Sequence, residues 1–129
     1  MRYLLDTHTL LWFLQDARDL PSSVAARIEA EAAESYVSIA SIWEMAIKLS
    51  LGKLRVPYSL SEDLPQLLQQ NAFRILPLAF SHLQVLSELP FHHRDPFDRA
   101  LVAQAQVEGL ILLSRDEALD SYDVQRRWS

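Results

Sequence analysis

The chain has 129 residues, half of them apolar and 22% charged, with no cysteine and a formal net charge of −5. That length suits one domain, residues 1–129, with a sizeable core. The lack of cysteine excludes disulfides and thiolate metal sites and fits a reducing cytoplasm. The acidic balance argues against nucleic-acid binding through a broad positive field, though it leaves room for a local basic groove.

The opening "MRYLLDTH" has one basic residue and an acid at position 6, so no signal peptide is expected. Residues 2–6, "RYLLD", read as a short buried strand ending in an acid. Residues 8–15 follow as a helix, and Pro21 with Ser22 and Ser23 opens a second over 24–33, "VAARIEAEAA". Residues 35–39 are strand-like. Residues 41–52 are helical, with Gly52 placed to end that helix. The stretch 61–72 puts Leu60, Leu64, Leu67 and Leu68 on one helical face, most simply a core stripe. A strand over 73–78 is closed by Pro77, and 80–89 is helical. The helix 96–109 carries Pro96 at its first position and Gly109 just past its end. Residues 110–114, "LILLS", are the clearest buried strand, followed by a short helical turn over 116–122. The tail "DVQRRWS" is polar enough to leave a last strand in doubt. The apolar runs "LLWFL" and "LILL" are far too short to span a bilayer, and no membrane association is expected.

Strands alternating with helices predict a three-layer α/β/α sandwich around a mainly parallel sheet of four to five strands. In such a sheet the loops after the strands gather along one edge, where helices begin. Asp6 ends the first strand, Glu44 lies near the start of the helix after 35–39, Asp98 lies in the first turn of 96–109, and Asp116 follows the last clear strand. Four acids distant in sequence are therefore expected at one edge. Like charges at ~4 Å repel by roughly 4 kcal/mol at an effective dielectric of about 20. Either some are protonated, with raised pKa, or a cation sits among them. With no cysteine and no compact histidine motif the donors are hard oxygens, which favour Mg²⁺ or Mn²⁺ over zinc. Such a centre suits phosphodiester hydrolysis.

Each acid also has a local explanation. Asp6 and Asp116 sit where they would cap the next helix. Ser41 and Glu44 form S-x-x-E, a capping box, and Lys48 is placed to pair with Glu44 at i,i+4. Asp95 already suffices to cap the helix at Pro96, which leaves Asp98 to be accounted for.

The segments "YLLDTHTLLWFL", "SIASIWEMAIKLSLGKL", "HHRDPFDRALVAQA" and "LLSRDEAL" resemble, in order and nearly end to end, the PIN-domain family, and most of all its VapC-type toxins of toxin–antitoxin pairs. The resemblance implies a Mg²⁺- or Mn²⁺-dependent endoribonuclease, homodimeric, cytoplasmic and inhibited by a cognate antitoxin. It maps the family's acidic quartet onto Asp6, Glu44, Asp98 and Asp116, and its small hydroxyl residue onto Ser114, as a support for a carboxylate or bound water. Asp95 stands with Ser114 as a supporting residue.

Arg94, Arg99, Arg115 and Lys48 are candidate contacts to RNA phosphates; pairing with the neighbouring acids is the competing explanation, and Arg99 in particular reads as structural. Lys53 and Arg55 form a second small basic cluster, most simply a solvated face. His8, His92 and His93 lack helical metal spacing and are not expected as ligands. Trp12, Trp43 and Phe97 read as core rather than as stacking platforms. Three other functions compete. A phosphatase with Asp6 as nucleophile would want an acid at position 8, where His8 stands. A receiver-like domain would want paired acids at the first strand. The third is a catalytically silent PIN-like module that only binds an antitoxin-type partner.

Overall fold

A computed structural model describes the whole chain, Met1–Ser129. Its elements run β1 (Arg2–Leu5), α1 (Thr7–Gln15), α2 (Ser22–Glu29), β2 (Glu34–Ser38), α3 (Ile39–Ser50), α4 (Asp63–Gln70), β3 (Phe73–Leu76), α5 (Phe80–Glu88), α6 (Pro96–Glu108), β4 (Ile111–Leu113), a 3₁₀ turn (Glu117–Ser121) and β5 (Arg126–Arg127). All five strands are parallel, in the order β3-β2-β1-β4-β5. This is the α/β/α sandwich that the alternation of elements predicts.

Two cores cover the two faces of the sheet, and the strands serve both because successive side chains point to opposite sides. Tyr3, Leu5, Val37 and Leu113 face one way, against Leu10, Val24, Met45, Leu64 and Leu68 of α1–α4. Leu4 and Leu112 face the other way, against Leu101, Val102 and Ala105 of α6 together with Leu119 and Tyr122. Burying such an aliphatic side chain stabilises the fold by about 1.5–3 kcal/mol. The leucine stripe of α4 is core at Leu64 and Leu68, with Leu60 packed against them. No helix is long and apolar enough to cross a membrane.

Several boundaries differ from the sequence reading. The second helix stops at Glu29 instead of running to Ala33. The Glu34 N–H donates to the Met1 carbonyl at 2.9 Å, so the chain must be extended beside β1 by then, and Ala30 leaves the helix with ψ 137°. The third helix starts two residues early. Ser38, not Ser41, caps it by accepting from the Ala40 N–H at 3.0 Å, and the Ser41 hydroxyl is buried without a partner. The capping box of Ser41 and Glu44 is therefore not formed, and Glu44 lies in the second turn. The doubtful last strand is present as β5. Its polarity suits an edge strand: Arg126 grips Asp120 through two bonds of 2.8 and 2.9 Å and the Ser114 carbonyl at 3.0 Å. The α6 boundaries follow their signals: Asp95 caps the helix, Pro96 opens it, and Gly109 closes it at φ +67°, which an L side chain rarely adopts.

Candidate metal centre

The strand order reverses at β1: β2 and β3 lie on one side, β4 and β5 on the other. In parallel sheets the crevice beyond the strand ends at such a reversal is where ligands bind. Here it lies between the ends of β1 and β4, and the chain places Asp6 directly after β1 and Ser114 directly after β4. A cleft of ≈1310 Å³ opens there, lined among others by Asp6, Asp98, Asp116 and Arg115.

Asp6 and Asp116 are held by their own local geometry. Asp6 is 7% exposed and caps α1: one carboxylate oxygen accepts the Thr9 N–H at 2.9 Å and the Thr9 hydroxyl at 2.6 Å. Asp116 caps the 3₁₀ turn by accepting the Ala118 N–H at 3.0 Å. Ser114, fully buried, accepts the Asp116 N–H at 3.1 Å, so it fixes the backbone of Asp116 and not its carboxylate. Asp95 takes over the capping of α6, accepting from Phe97 at 2.8 Å and from Asp98 at 3.1 Å. The Asp98 carboxylate is thereby left free of backbone duty.

Glu44 stands apart from the other three. It does not line the cleft. Its two oxygens are taken by the Thr7 hydroxyl at 2.6 Å and the Lys48 ammonium at 2.9 Å. Its charge still reaches Asp98. The Asp98 carboxyl is pushed up to about 7, first by burial, then by the negative charges of Asp95, Asp6 and Glu44, with His93 partly opposing the rise. Like charge and desolvation act together here, the first of the two outcomes that crowded carboxylates allow.

His93 enters the site against expectation. Its Nε2 lies 2.8 Å from an Asp116 oxygen and 3.5 Å from an Asp98 oxygen. Its Nδ1 accepts the Asp95 N–H at 3.1 Å, which leaves the proton on Nε2, directed at the carboxylates. Helical i,i+4 spacing is the wrong template for this histidine, because it sits in the loop before α6. No local signal marks it: the Asp95 N–H that fixes the ring is a backbone group, and Asp116, which draws the ring into the site, lies 23 residues along the chain.

The basic residues divide. Arg99 is 6% exposed and donates to the carbonyls of Leu86, Leu89 and Pro90 and to the Tyr122 hydroxyl. Both terminal nitrogens are thus engaged inside the protein, which counts against its candidacy as a phosphate contact. Lys48 is engaged with Glu44. Arg94 and Arg115 are exposed and form no ion pair, as do Lys53 and Arg55. Trp43, expected in the core, is 59% exposed and packs edge-on against Phe97 at 5.2 Å; its position on α3 turns it away from the sheet.

The donor set fits a hard divalent cation. Oxygens of Asp98 and Asp116 lie within 4.8 Å of each other with His93 beside them, Asp6 lines the same cleft, and the carboxylate held near 7 is the group a cation would relieve.

A family model described as PIN domain matches residues 3–125. No protein of curated function matches the chain in sequence. Among solved structures, VapBC2 from Rickettsia felis bound to a DNA fragment from its promoter is similar over 100% of both chains, with TM-score 0.73 and 14% identity. FitAcB from Neisseria gonorrhoeae is similar over 98% of this chain and 96% of its own, with TM-score 0.64 and 20% identity. A toxin–antitoxin complex from Klebsiella pneumoniae is similar over 91% and 89%, with TM-score 0.62 and 18% identity. At these identities the likeness is one of fold.

Proposed function

The chain belongs to the PIN-domain family, and on that premise we propose that it is a divalent-metal-dependent endoribonuclease, the toxin of a toxin–antitoxin pair acting in the cytoplasm. The observation that carries this reading is the arrival of Asp6, Asp98 and Asp116, from three separate elements, in one cleft at the reversal point of the sheet.

Asp6, Asp98 and Asp116 would hold Mg²⁺ or Mn²⁺, with Glu44, partly neutralised by Lys48, acting on Asp98 only through its remaining field. Bound there, the ion supplies the positive charge that phosphodiester hydrolysis needs. The chain's own groups do the rest. Thr9 holds the Asp6 carboxylate in one orientation, and Ser114 fixes the backbone from which Asp116 projects. His93 donates to Asp116 and steadies it, acting as an outer-layer partner to the carboxylates. Arg115 and Arg94 offer the unpaired guanidinium groups that a phosphate backbone requires. An antitoxin partner is supported by the similar structure from Klebsiella pneumoniae, a toxin–antitoxin complex. A protein partner or second copy is also supported by the apolar groove of ≈650 Å³ walled by Ile39, Ile42, Leu64 and Ile75.

The test is cleavage of a defined RNA by the purified protein. Mg²⁺ should support cleavage and EDTA abolish it, and Asp98→Asn and Asp6→Ala should lower it to background while the fold is kept. In a bacterial host, the wild type alone should arrest growth and the Asp6→Ala protein should not. Full activity of either variant would remove those carboxylates from the mechanism. Equal growth with both, and no cleavage, would favour the silent binding module.

A further inference from the structure

We propose that the cleft contains a nucleobase-binding subsite, formed by Trp12 and Trp128 beside the carboxylates, on which a base of single-stranded RNA stacks. The inference rests on the ribonuclease reading and specifies how its substrate is held. The same cleft that holds Asp6, Asp98 and Asp116 continues along α1 to Trp12 and across to Trp128 in the tail. The two indoles lie 6.0 Å apart at 56°, and His8 extends the row, 5.5 Å from Trp12.

Trp12 is not placed as a core residue. His8 and Trp12 are one turn apart on the outer face of α1, while Thr7, Leu10 and Leu11 of the same helix are buried. Trp12 is only half-buried and packs against neither of the two cores, whereas Trp128 rests on the first of them. Trp12 thus stands, partly exposed, on the wall of a polar cleft, and bases stack on accessible aromatic faces whatever their sequence. The rings have Arg115 and Arg127 for company, both exposed, lining the cleft and free of ion pairs. Arg126, between them in the wall, is committed to Asp120. A chain of net charge −5 cannot hold RNA by its overall field. Stacking next to two unpaired guanidinium groups supplies affinity that the net charge denies.

The experiment uses the full chain with Trp43→Phe, so that tryptophan emission reports only Trp12 and Trp128. It is titrated with a short single-stranded 2′-O-methyl oligonucleotide and with an abasic strand of equal length. Both titrations are run with and without Mg²⁺, and strand integrity is checked on a gel. The base-bearing strand should quench the emission and bind more tightly than the abasic one. Trp12→Leu, which keeps apolar bulk and disturbs neither core, should weaken the base-bearing strand about tenfold and leave the abasic strand unchanged, with Trp12→Phe restoring most of the loss. Trp128→Leu, checked by thermal unfolding, should act in the same direction. Equal binding of the two strands by the unsubstituted platform would overturn the stacking subsite while leaving the ribonuclease reading intact. A Trp12→Leu effect of equal size on both strands would assign the ring a purely structural role. Binding of neither strand under either condition would overturn both.

Discussion

Asp98 sits where a carboxylate is least comfortable: half-buried, next to Asp95, and within electrostatic reach of Asp6 and Glu44. A helix start needs only one capping acid, and Asp95 supplies it. The helix dipole can return to Asp98 no more than about 1 kcal/mol. Its pKa, raised from 3.8 to about 7, means that the folded chain binds this proton more tightly than the unfolded chain does. Stability from this group is therefore full below pH ~4 and declines as pH rises toward ~7. In metal-free buffer above neutrality, Asp98→Asn should be more stable than the wild type, by an amount on the order of a few kcal/mol. The advantage should fade toward pH ~4. Thermal melts across that range check it, and a gap that does not change with pH would contradict the assignment. His93 is the residue the sequence concealed. Its role depends on a backbone N–H from Asp95 and an oxygen from Asp116, and only the second is far away in the chain.

Helix α6 does two jobs at once. Its buried side, Leu101 to Ala105, forms the second core, and its first turn delivers Asp98 to the cleft. Arg99, next in line, binds this helix to the end of α5 and the following loop through three carbonyls, and it stacks on Phe91 at 4.2 Å. A buried cation so engaged is costly to remove, because the carbonyls lose their donors together. Arg99→Ala should destabilise the protein by about 3 kcal/mol in chemical denaturation. Arg99→Lys should not restore it, since an ammonium cannot reach the carbonyls that the planar fork reaches. Weakened RNA binding at unchanged stability would instead return Arg99 to the phosphate contacts. The same helix shows what local signals carry: Asp95, Pro96 and Gly109 mark both its ends by residue type and position alone. The end of α2 carries no such mark. Nothing in "EAEAA" stops a helix; the pairing of Glu34 with Met1 does.

At the scale of the whole molecule, the fold collects charge that the chain had dispersed. Asp98, Asp116 and His93 cluster, with Asp6 in the same cleft, beyond the ends of β1 and β4, at the cost of a carboxyl that resists ionising. A divalent cation binding there must displace the Asp98 proton, so binding and proton release are linked. Added Mg²⁺ or Mn²⁺ should raise the melting temperature. Its apparent affinity should climb up to about tenfold per pH unit below about pH 7 and level off above it. Melting curves titrated with metal at several pH values measure this, and an affinity flat in pH would argue against Asp98 as a ligand.

The order of strands and helices, the caps of α6 and the identity of three cleft acids were written in the sequence, because hydrophobic period, Pro and Gly placement and acids at strand ends are local properties. The tertiary structure alone decided the rest. Glu44, whose pairing with Lys48 was legible at i,i+4, is turned from the cleft by Thr7 of α1. Arg99 is sealed under its carbonyls. His93 is drawn in. Two tryptophans are left on the cleft wall. In each case the deciding partner comes from another element or from the fit between elements, and no local pattern encodes a contact whose two sides meet only after the sheet has formed.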